Sequence, residues 1–90
     1  MKIDVEKVWV RIKNHEGEKF ETKTGKPFIY EIVNNSLIPD RTNYPLARNQ
    51  FEKAIKHLPL QGPGEISSIV RGSAYVWAIL HDRRIRKNDW

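Results

Sequence analysis

Arg83, Arg84, Arg86 and Lys87 crowd into residues 83–87, with Arg71 a little before them and Trp77 and Trp90 on either side. Guanidinium groups pair bidentately with phosphate and stack on rings, and an exposed indole can stack on an unpaired base. The chemistry open to this set is the gripping of a polyanion. Arg71, Arg83, Arg84, Arg86, Lys87 and, from an earlier segment, Arg48 would contact phosphates, with Trp77 as a stacking surface. The competing reading is a solvated basic helix end that complements a helix dipole, with Trp77 at the edge of the core.

Other residue types offer less. Glu21-Thr22-Lys23 has the outline of a nuclease pair, a carboxylate to hold a metal and a lysine to stabilise charge, but only Asp4 precedes it as an acidic partner. His15, His57 and His81 could supply an acid–base pair for RNA cleavage, yet no spacing brings two of them together. Cysteine is absent, so neither a disulfide framework nor a cysteine zinc site is possible. Gln61-Gly62-Pro63-Gly64 lacks the lysine of a phosphate loop. We therefore expect no cofactor and no metal.

The elements that must position these residues follow from the pattern. Ser73 to Leu80 admits a helix, with Ser73 as N-cap and Val76, Ile79 and Leu80 on one stripe, or a strand in which Tyr75, Trp77 and Ile79 alternate with Val76, Ala78 and Leu80. The cap and the trailing cations favour the helix, with Ile85 continuing its face. Residues 65–82 also have the outline of a helix-turn-helix, although Gly72 stands too close to Val76 for that motif.

Before it, Phe51, Ala54, Ile55 and Leu58 mark a second helix, started by Pro45 or capped by Asn49, and Pro59 to Gly64 must break it. Glu65 to Arg71 reads as a short helix or strand. In the first half, Val8, Val10 and Ile12 alternate with Trp9, Arg11 and Lys13, which predicts a half-buried strand. Lys19 to Thr24, Phe28 to Val33 and Ser36 to Ile38 read as three more, joined by turns at Gly17, Gly25 and Asn34-Asn35. Pro39 should confine the last to an edge or end it. A sheet with Arg11, Lys13, Lys19, Lys23 and Lys26 on one face could enter a DNA major groove, but Glu16, Glu18 and Glu21 interrupt those cations.

The chain has 90 residues, a net charge of +5 and 39% hydrophobic residues. That predicts one ordered domain. Residues 1–45 hold eight Lys/Arg against seven Asp/Glu, and residues 46–90 eight against four, so the cationic surplus sits in the helical half. No apolar run approaches the ~18 residues that span a bilayer, and the charged opening Met1 to Lys7 has no signal region. We read the chain as cytoplasmic and unprocessed, without membrane association.

The expected architecture is a single basic α+β domain over residues 1–90. A four-strand antiparallel meander (about 3–38) precedes two or three helices packed on one face (about 46–87). The expected function is non-enzymatic nucleic-acid binding. The alternatives are a protein-interaction module or subunit of a larger assembly, with a protein partner or a second copy contacting the Trp77 region or the Ile38–Pro39 edge and no nucleic-acid binding, and a small metal-dependent nuclease.

Overall fold

The computed structural model describes residues 3–42 and 44–90. Met1 and Lys2 of the charged opening stretch, and Asn43 in the connector after Pro39, lie outside the described residues. Among the described residues, the fold is α+β, with two antiparallel sheets and four α-helices.

The chain enters as a helix, α1 (Val5–Asn14). This corrects the strand expected there, and with it the four-strand meander. Two patterns coexist in the segment. Val8, Val10 and Ile12 alternate, but Val5, Val8, Trp9 and Ile12 recur at helical spacing. The helical stripe wins because Asp4 caps it, accepting from the Glu6 N–H at 2.9 Å and the Lys7 N–H at 3.3 Å. Val8, Trp9 and Ile12 are buried while Val10 is 41% exposed, so the alternation marked the wrong residue as core.

The strands are short and fall into two sheets. In the first, β1 (Phe20–Glu21) pairs with β2 (Pro27–Phe28), with Phe20 opposite Phe28. In the second, β3 (Tyr30–Val33), β4 (Ser36–Pro39) and β5 (Leu46–Ala47) lie in that order. Asn34 and Asn35 take positive φ, 52° and 37°, as a two-residue hairpin demands. β4 is the middle strand, not an edge. Pro39 is tolerated because β5 pairs only with Ser36 and Leu37, so the missing N–H faces no ladder.

β5 runs directly into α2 (Arg48–Ile55), one residue before the expected Asn49 cap and with no side-chain cap. Of Glu65 to Arg71, read as helix or strand, only Glu65 and Ile66 are helical, as the end of a 3-10 turn (Pro63–Ile66), and the rest is turn. α3 (Ser73–Leu80) confirms the helical reading of the apolar run. Gly72 rather than Ser73 takes its N-cap position, with a left-handed φ of 67°. Val76, Ala78, Ile79 and Leu80 are buried and Tyr75 and Trp77 half-buried. Such a helix is apolar on nearly every side because α2, residues 83–86, the 3-10 turn and β1 all pack on it.

The helix does not continue through the cations. Asp82 stops it and caps a separate short helix, α4 (Arg83–Arg86).

One core unites these elements. Trp9 of α1 meets Phe51 of α2 with ring centroids 5.6 Å apart, and Phe20 lies 6.0 Å from Phe28 and 5.2 Å from Tyr30. Phe20, Phe28, Tyr30, Phe51, Ile55, Val76, Ile79 and Leu80 are all buried, and Ile32 is half-buried. Among the described residues, no helix is long and apolar enough to cross a membrane.

Candidate phosphate-contacting surface

The residues after Leu80 form a rigid hook. Lys87 and Asn88 take left-handed φ of 46° and 63°, which turns the chain so that Trp90 is buried and its indole N–H donates to the Leu80 carbonyl at 2.8 Å. Arg11 of α1 fastens the hook. Its guanidinium donates to the Ile85 carbonyl at 2.9 Å and pairs with Asp89 at 2.6 Å.

The neighbours Arg83 and Arg84 diverge in role. Arg84 folds back over Phe20, its guanidinium carbon 3.9 Å from the ring centre. It grips Asp82 with two nitrogens at 2.8 and 2.9 Å, Glu18 at 3.0 Å and the Lys19 carbonyl at 2.8 Å. The hydrogen bond that Arg84 donates to Asp82 is the main cause of a raised Arg84 pKa. Burial alone would lift the Asp82 carboxyl, but the Arg84 side chain and N–H outweigh it and hold that carboxyl below its ordinary value. This guanidinium is a structural tie. Arg83 is exposed and has no ion-pair partner among the described residues.

Arg86 donates to the Trp90 backbone oxygen at 2.6 Å and has no carboxylate side-chain partner among the described residues. Lys87 is exposed and lines two concavities. Arg83, Arg86 and Asn88 share the first with it; Lys7, Val10 and Asn14 of α1 share the second. A third depression links Lys7, Asn88 and Asp89. The basic surface therefore extends from α4 onto α1.

Lys7 is the residue that sequence reasoning missed. The helical period of residues 5–12 was the available signal, since it alone turns Lys7 and Val10 outward together.

The remaining sequence candidates lie elsewhere or are engaged. Arg48 carries two carboxylates, Glu6 at 2.7 Å and Glu52 at 3.0 Å, and its pKa is raised chiefly by the first. Arg71 sits over the Tyr44 ring at 4.1 Å, outside these concavities. Trp77 donates to the Leu60 carbonyl at 3.3 Å and stacks on His81 at 5.0 Å, and Lys23 lies 5.8 Å from its ring centre. The indole is built into the fold more than it is presented.

Other arrangements dissolve in the structure. Arg11 and Lys13 are helical, so they share no sheet face with Lys19, Lys23 and Lys26. The helix-turn-helix lacks a first helix beyond one 3-10 turn. Asp4 is committed to capping α1, and Lys23 donates to the Gln61 carbonyl at 3.1 Å. Among the described residues, no three His, Asp or Glu side chains gather as a metal site.

Comparison with protein families, curated proteins and solved structures returned no match for this chain. The geometry of this surface is what a functional reading rests on.

Proposed function

We propose that the protein is a small non-enzymatic nucleic-acid-binding module whose phosphate contacts come from Arg83, Arg86 and Lys87 of the hook together with Lys7 of α1. One observation carries this reading. Most of the nearby carboxylates are already paired with other arginines: Asp82 with Arg84, Asp89 with Arg11, and Glu6 with Arg48, which it shares with Glu52, while Asp4 is turned to the Glu6 and Lys7 N–H groups. Lys7, Arg83, Arg86 and Lys87 are thus left with net positive charge over adjoining concavities, a local field that attracts a phosphate backbone.

Fluorescence anisotropy with duplex DNA, single-stranded DNA and RNA across a salt series tests it. Binding should weaken log-linearly with salt, and Arg83→Ala and Lys87→Ala should each lower the slope by about 1. Arg71→Ala should leave the slope unchanged. Undetectable binding to all three at about 50 mM salt, where backbone contacts are strongest, would remove the reading.

A further inference from the structure

A second surface carries the opposite charge. Between β3, β4 and the turn after α1 lies a groove of about 510 Å³, with Ile29, Ile38 and Pro39 on its apolar side and Glu16, Glu31 and Asp40 around it. Ile29 is 44% exposed, so the groove presents apolar area at the surface beside its carboxylates. None of the three carboxylates has an ion-pair partner among the described residues, in a chain whose net charge is +5.

Two of the carboxylates are held in place. Glu16 accepts from the Ile32 N–H at 2.7 Å and Asp40 from the Ile29 N–H at 3.1 Å. Each keeps its second oxygen available, and such preorganised acceptors suit a guanidinium or ammonium donor.

We infer that this groove docks a basic segment of a partner protein, one that presents an aliphatic or aromatic side chain flanked by arginine or lysine. Charge complementarity selects the occupant. A nucleic acid would bring phosphates against carboxylates. A symmetric second copy would place Glu16, Glu31 and Asp40 opposite themselves, a like-charge contact that opposes association. Strand addition along β3 is obstructed, because the Tyr30 carbonyl already accepts from the Gly17 N–H at 2.9 Å and Glu16 occupies the Ile32 N–H. The partner is therefore recognised by its side chains, with the apolar residue over Ile29 and Ile38 and the cations on the rim.

The test uses the full chain and labelled synthetic peptides in which one leucine or phenylalanine lies between arginines. Matched peptides carry glutamate for the arginines, or serine for the apolar residue. Anisotropy should show saturable binding of the first set only. Glu31→Lys and Ile29→Ser, both at exposed positions, should each weaken it roughly tenfold with unchanged unfolding midpoints. Arg83→Ala should leave it intact, which separates this site from the basic surface. Absence of binding, equal affinity for wild type and Glu31→Lys, or an Ile29-dependent dimer in sedimentation that excludes the peptide would each overturn the inference.

Discussion

Replacing Arg84 by alanine removes a guanidinium that holds Asp82, Glu18, the Lys19 carbonyl and the Phe20 ring together. Arg84 and Asp82 side chains are 33% and 23% exposed, so their bidentate pair is partly screened and contributes about 1 kcal/mol. The charge-assisted bond to the Lys19 carbonyl adds about 1 kcal/mol, and the ring contact about 0.5 kcal/mol. The exposed Glu18 contact is left uncounted. A loss of roughly 2–3 kcal/mol lowers the melting temperature of a domain this size by roughly 10–20 °C. Arg84→Lys keeps the charge but loses the fork, and should recover less than half of that. Arg83→Ala, one position away, should stay within about 0.5 kcal/mol of wild type.

Thermal and urea unfolding followed by tryptophan fluorescence reads all three variants. The acid limb provides a second check. The folded Asp82 pKa lies below its ordinary value, so its contribution is present above the unfolded pKa near ~3.9 and is lost as pH falls through the folded value. Arg84→Ala should flatten that limb. An Arg84→Lys protein that melts with wild type, or an Arg83→Ala protein as damaged as Arg84→Ala, would refute the assignment of one arginine to structure and its neighbour to the surface.

Two further variants probe other joints of the fold. Gly72→Ala should destabilise by about 2 kcal/mol or more, because φ is 67° and a Cβ there would lie 2.7 Å from Leu46 Cδ2; a melt within 2 °C of wild type, small on the scale of about 4–8 °C per kcal/mol, would contradict it. His81 accepts from the Leu60 N–H at 3.3 Å, and burial, then the nearby Arg86 charge, pushes its pKa down. Its contribution should be full above the ordinary value near ~6.5 and fade as pH falls through the lower folded value. His81→Gln should abolish that dependence, and an imidazole titration by NMR at or above ~6.5 would disprove the depression.

Much of the fold was legible where local chemistry and tertiary packing agree. Asn34-Asn35 announced its hairpin because few residues accept left-handed φ at both positions. The apolar run of α3 resolved to a helix, and the aromatic core was largely identified. α1 departs from the alternating reading because alternation and helical spacing share Val8 and Ile12, and the Asp4 cap together with the burial of Trp9 against Phe51 decides between them. Asp82 was an N-cap signal that went unused. The division between Arg83 and Arg84 was beyond local reading. Arg84's partners Glu18 and Lys19 stand 66 and 65 positions away, and no spacing rule links side chains at that distance. Lys7 joined the basic surface only because α1 packs on α4.

The borders of the three-stranded sheet carry a consequence for behaviour at high concentration. On one side, Glu16 and Gly17 cap the outward backbone groups of Ile32 and Tyr30. On the other, β5 is two residues long and leads straight into α2. Neither flank leaves an uninterrupted row of amides on which a neighbouring molecule could propagate cross-β growth. Concentrated stocks should therefore resist fibrillation even with Ile29 and Val33 facing solvent.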